Sequence, residues 1–223
     1  MNIKSLLSVA LSIFLVSFSI AQTAQTHDPK AKVILDAMSK KTKSYTSIKV
    51  DFSYTLKNKS EGLNETQNGN LLLKGDKFRL EMAGQHVICD GKTVWTYILD
   101  ADEVQINNVP EPGESEDALV DPTQIFNLYE KNFKYKFIKE ETINGKVVQM
   151  IDLFPEKANN KSYHTIKMKI DKNKNQMISM EVISKDGNHY TYKLKSFIPN
   201  APAPDNKFKF DVSKVGDVID LRE

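Results

Sequence analysis

Residues 48–57 alternate without a break. Ile48, Val50, Phe52, Tyr54 and Leu56 are apolar, and Lys49, Asp51, Ser53, Thr55 and Lys57 are polar. A period of two places the sets on opposite faces, as in a half-buried strand. Just upstream the period differs. Asp28 is an N-cap residue, Pro29 suits the first helical position, and Val33, Ile34, Ala37 and Met38 recur at helical spacing. This predicts a helix from Pro29 to Ser44. Downstream, short apolar segments are punctuated by turn dipeptides. Segments 67–74, 77–82, 85–89, 92–99 and 103–109 read as strands, with Gly75-Asp76 and Asp90-Gly91 as turns. The irregular acidic loop 110–120 follows, and Asp121-Pro122 predicts a second, shorter helix to Lys131. Segments 133–142 and 146–154 flank Asn144-Gly145, a hairpin dipeptide. Segments 165–171, 176–184 and 189–197 follow, and a last short strand is predicted around Phe208-Lys209-Phe210. About ten or eleven strands with two helical interruptions imply a mainly β, α+β fold: a strongly curved antiparallel sheet or barrel with helices against one face.

Only one apolar run is long. Leu6 to Ile20 carries no charge, follows Lys4, and precedes a small-residue site at Ser19 and Ala21. Its fifteen residues fall short of the roughly 20 needed to span a bilayer. Residues 1–21 therefore read as a cleaved signal peptide, and residues 22–223 as one exported domain. A lipidated protein would carry Cys after the cut, but Gln22 stands there. The lone Cys89 lies in an apolar stretch and reads as a small core residue. The charge is divided: 12 basic and 17 acidic groups in residues 22–130, against 14 and 7 in residues 131–195. The formal total of +2 argues against a nucleic-acid partner held by bulk basicity.

Catalytic signatures are absent. His27, His86, His164 and His189 form neither HxH nor HExxH spacing, so no metal or cofactor is expected. No nucleophile elbow, P-loop or dinucleotide fingerprint occurs. The cluster Asp100, Asp102 and Glu103 is explained by a turn between two strands.

One region carries a resemblance. Gly69-Asn70-Leu71-Leu72-Leu73-Lys74, then Lys77-Phe78-Arg79-Leu80, then Asp90-Gly91-Lys92-Thr93-Val94-Trp95-Thr96-Tyr97 resemble the LolA family of periplasmic outer-membrane lipoprotein carriers. The preceding helix, Asp121-Pro122 and the Lys207-Phe208-Lys209-Phe210 end fall in matching order. The resemblance implies an unclosed barrel with helices as a lid over an apolar concave face. It also implies a monomeric, non-enzymatic periplasmic carrier that takes acylated lipoproteins from an inner-membrane ABC release complex to an outer-membrane acceptor. An envelope lipid-binding or lipoprotein-sensing half-barrel without a transport role is the alternative.

Candidate acyl-chain residues are Val50, Phe52, Tyr54, Leu56, Phe78, Leu80, Trp95, Tyr97, Met168 and Ile170. A soft lining rich in Met and aromatic residues suits irregular chains, although each position fits ordinary core packing equally well. Trp95 and Tyr97 share one face of their strand, so they point inward or outward together. Well-known members of the family carry Arg-Pro after the lysine of the second strand, and that arginine latches the lid. Here Lys74 is followed by Gly75-Asp76, so no latch residue carries over.

Overall fold

A computed structural model describes residues 27–110, 122–130 and 132–222. Residues 1–21, expected to be a signal peptide, the acidic stretch 111–120 and the expected Asp121 cap lie outside the described residues. Helix α1 (Pro29–Lys43) starts where its signals predict. The Asp28 carboxylate accepts from the backbone N–H groups of Lys30 and Ala31, which an isolated helix start leaves unpaired. Lys40, Lys41 and Lys43 stand at the C-terminal end, where the helix dipole favours cations.

Twelve strands follow: β1 (Ile48–Asn58), β2 (Leu63–Lys74), β3 (Lys77–Met82), β4 (Gln85–Cys89), β5 (Thr93–Ile98), β6 (Glu103–Asn108), β7 (Phe133–Ile143), β8 (Lys146–Pro155), β9 (Tyr163–Asp171), β10 (Gln176–Ser184), β11 (His189–Pro199) and β12 (Asp217–Asp220). They form one sheet in the order β12-β6-β5-β4-β3-β2-β1-β11-β10-β9-β8-β7. Its edges, β12 and β7, do not pair with each other, so the curved sheet stays open. Neighbours are antiparallel except β12 and β6. Between β7 and β8 the two-residue turn Asn144-Gly145 has positive φ at both positions, as the Asn-Gly dipeptide requires.

Two expected elements differ. The segment expected as a helix to Lys131 contains two 3-10 turns instead, Pro122–Gln124 and Leu128–Glu130. Helix nucleation is costly in so short a piece, and burial of Phe126, Leu128 and Tyr129 holds it. The last strand is Asp217–Asp220, not the stretch around Phe208. Residues Asp205–Phe208 form a 3-10 turn, and Phe208 is fully buried. Its role is to anchor the returning chain, which a ladder position could not do.

The main core lies on the concave face. Ala31, Ile34, Leu35 and Met38 of α1 share one buried cluster with Met168, Ile170, Met180, Ile151 and Leu153. The same cluster runs on through Val50, Phe52, Leu71, Leu73 and Phe78 of the other half-sheet. A second buried set, Ile88, Val104, Ile106 and Phe208, lies outside that cluster. It belongs to the convex face, over which residues 200–216 return to place β12 beside β6.

Candidate ligand-binding face

Register assigns the candidate residues to their faces. On β1, Val50, Phe52 and Tyr54 point to the concave side. Phe78 and Leu80 on β3 join them across Leu73 and Leu71, their partners on β2. Met168 and Ile170 contribute from β9, buried in the cluster that α1 joins. Leu56 continues the β1 series but is only half-buried and lies beyond the cluster. The structure therefore brings together seven of the ten candidates and extends their face with Leu56.

Trp95 and Tyr97 point the other way. Trp95 faces Ile88 and Ile106 across the ladder, and Tyr97 faces His86 and Val104. The Tyr97 ring packs 5.4 Å from Phe210, and its hydroxyl donates to Asp102. Strand β5 is half-buried along its whole length on both sides, because the C-terminal segment covers its convex face. The concave positions of β5 belong to Val94 and Thr96 instead.

The concave face has a covered half and a shallower half. Helix α1 packs on β7 and β10 and closes the first half. In the second half, Leu80, Met82, Val87, Leu194, Tyr54, Tyr190 and Tyr192 remain half-buried. Five of the six methionines beyond Met1 serve this face: Met38, Met82, Met168, Met177 and Met180. Gly69 matters here. A Cβ at this position would stand 2.6 Å from Cζ of Phe52 and 3.0 Å from the Glu81 carbonyl oxygen. Its absence lets the end of the Phe52 ring approach the β2 backbone.

The cover is held by polar contacts that the sequence did not disclose. Residues 122–130 run from β3 to β7 across the open side. There Phe126 packs edge-on against Phe197, and Tyr129 against Tyr135. The Tyr129 hydroxyl donates to Asp36 Oδ1 at 3.0 Å. Glu130 accepts from the Ser39 hydroxyl at 2.8 Å and from Lys43 Nζ at 2.6 Å. Burial and the bond to Asp36 push the Tyr129 phenol above its ordinary range. The Lys43 ammonium holds the Glu130 carboxyl below its own. At the helix start, Asp28 also accepts from the Phe137 N–H at 2.9 Å, fastening α1 to edge strand β7. These contacts join residues 122–130 and strand β7 to α1. The sequence signal was a polar stripe on α1, Asp36, Ser39 and Lys43 at helical spacing, with no partner visible nearby.

Beside the cover, a cleft of about 380 Å³ is lined by His27, Lys32, Asp36, Tyr129, Glu130, Asn132, Phe133, Tyr135 and Glu156. Its lining is mainly polar, and Tyr129, Phe133 and Tyr135 of the apolar cluster also border it. Among the described residues, no three His, Cys, Asp or Glu side chains could hold a metal ion. Among them, too, no helix is long and apolar enough to cross a membrane.

Comparison with known proteins identifies the family. Residues 43–211 match the family model described as "Outer membrane lipoprotein carrier protein LolA". An outer-membrane lipoprotein carrier protein of Legionella pneumophila (strain Lens) is 20% identical over 197 residues, 87% of this chain and 93% of that protein. Among solved structures, an uncharacterised conserved protein from Thermus thermophilus superposes with a TM-score of 0.55 at 13% identity. That match covers 86% of this chain and 99% of its own. A LolA superfamily protein from Nitrosomonas europaea superposes with a TM-score of 0.44 at 11% identity, over 81% and 97% of the two chains.

Proposed function

The chain belongs to the LolA family of outer membrane lipoprotein carrier proteins, and from that premise we propose that it is a non-enzymatic periplasmic carrier of acylated lipoproteins. The acyl chains take the concave face, and α1 with residues 122–130 is the cover that yields to them. One observation carries this reading: the apolar face is closed by a single helix and a short segment, held at their rim by a few polar contacts. Each methylene buried contributes about 0.8 kcal/mol, so a chain of ordinary length competes effectively with the helix for the face. Loading from an inner-membrane ABC release complex and delivery to an outer-membrane acceptor complete the cycle we infer. The near-zero total charge and the signal peptide expected from the sequence accord with a periplasmic shuttle.

The test is direct. The mature protein is purified from the envelope without detergent, and what accompanies it is identified by mass spectrometry. Acylated lipoproteins in stoichiometric amount support the carrier. Free phospholipid alone, or no lipid with no affinity for a fluorescent acyl probe, overturns it.

A further inference from the structure

Where β1 meets β11, three tyrosines form a ledge on the shallower half of the concave face. Tyr54 and Tyr192 are direct cross-strand partners, with ring centroids 5.2 Å apart. Tyr190 stacks on Tyr54 at 6.3 Å and 19°, and Phe52 closes the row 6.2 Å from Tyr192. All three tyrosines are half-buried against the apolar cluster. None of their hydroxyls hydrogen-bonds a described residue, whereas Tyr97 and Tyr129 each donate to an aspartate. A tyrosine with an apolar ring and an unanswered polar tip suits a boundary between hydrocarbon and water. Burial raises Tyr54, and burial with the neighbouring phenols raises Tyr192 to about 12, so both stay neutral donors.

We propose that Tyr54, Tyr190 and Tyr192 donate hydrogen bonds to the carbonyl end of an acyl ester whose hydrocarbon lies on the floor of Leu80, Met82 and Leu194. The proposal rests on the carrier reading and adds the polar subsite to it. The surroundings select a neutral acceptor. In register with Tyr54 and Leu56 on β2 stand Gln67 and Glu65, an amide and an acid. The concave positions of β1, β2, β10 and β11 around the ledge carry no lysine or arginine. A carboxylate ligand would meet Glu65 without a balancing cation, whereas an ester carbonyl needs only a donor. The ester can belong to a lipidated N-terminus or to a phospholipid, since both present the same carbonyl.

Two matched probe pairs test this: a dipalmitoylated lipopeptide with its diether twin, and a short-chain phosphatidylcholine with its diether twin. Ether analogues keep the hydrocarbon and remove the carbonyls. The wild type should bind the ester lipopeptide about tenfold more tightly than the ether, the effect of one to two hydrogen bonds. In the triple variant Tyr54→Phe, Tyr190→Phe, Tyr192→Phe, which keeps every ring, the two should bind alike. The same pattern in the phospholipid pair would extend the subsite to any diacylglycerol unit; its restriction to the lipopeptide would assign the lipoprotein anchor. Equal affinity for ester and ether in the wild type, or a preference that survives in the triple variant, overturns the proposal and leaves the carrier reading intact. If the wild type binds none of the probes, both fall together.

Discussion

Tyr129→Phe should make the protein less stable and a better binder at the same time. The substitution keeps the ring, which is 7% exposed in the concave cluster, and removes only the hydroxyl that Asp36 accepts at 3.0 Å. A hydrogen bond to a charged group contributes about 1.5–3 kcal/mol when buried. Here the Asp36 side chain is 47% exposed and also paired with Lys32, so water replaces much of the loss. About 1 kcal/mol remains, directed at the seam between residues 122–130 and α1. If an acyl chain binds only when the cover has parted, apparent affinity scales with the open fraction. A change of about 1 kcal/mol then tightens binding about fivefold. Displacement of a fluorescent acyl probe reads the affinity, and thermal unfolding reads stability, where a fall of about 2–4 °C is expected for a chain of this size. A lower Tm with unchanged or weaker affinity would refute the idea that this seam opens for ligand.

Three further outcomes follow from the same geometry. Asp28→Ala removes a helix cap and the tie to Phe137, and should cost about 2 kcal/mol of unfolding stability at neutral pH. Because the Phe137 N–H bond leads the contacts that hold the Asp28 carboxyl below its ordinary pKa, its contribution is full above the carboxylate range and is lost as pH falls through the folded value. Denaturant curves of the two proteins should therefore converge below about pH 4; a constant gap would refute the linkage. Gly69→Ala should displace the Phe52 ring and destabilise by about 1–3 kcal/mol, with partial rescue by Phe52→Leu; no change in midpoint would mean that the close approach is easily relaxed. Arg79→Leu and Trp95→Phe, both on the convex face, should leave acyl-probe affinity within about twofold of wild type, since about 1.4 kcal/mol would be needed for tenfold.

The elements that were legible in the sequence are those whose signals are local. The alternation of 48–57, the Asp-Pro helix start and the Asn144-Gly145 turn each state their structure within a few residues. What was not legible depends on distant chain. In Thr93–Ile98 both faces carry large side chains, and the concave one was decided by residues 200–216, more than a hundred positions away. The four residues of β12 carry too short a pattern, and their parallel pairing with β6 is purely tertiary. The same holds for the seam. The partners of Asp36 and Ser39 are Tyr129 and Glu130, more than ninety positions away, so nothing near the helix discloses them.

Binding in such a protein is best understood as replacement, not as filling of an empty space. Helix α1 buries Ile34, Leu35 and Met38, side chains that each contribute about 1.5–3 kcal/mol when removed from water. Lifting them therefore costs about 5–9 kcal/mol. An acyl chain that lays about ten methylenes on the same surface returns about 8 kcal/mol. The two terms nearly cancel, so the ligand and the cover are close competitors for one face. The lining suits that competition: unbranched methionines repack against either a helix or a chain with little strain. Small polar terms then decide the direction. The bonds of Asp36 and Glu130 favour the cover, and the tyrosine ledge favours the ligand, each at the scale of about 1 kcal/mol per bond. In the carrier we propose, a balance of this kind would need no fuel of its own for release. An acceptor that offered the acyl chain a slightly better apolar site would be sufficient, because closure of α1 over the vacated face would return most of the energy that removal of the chain requires.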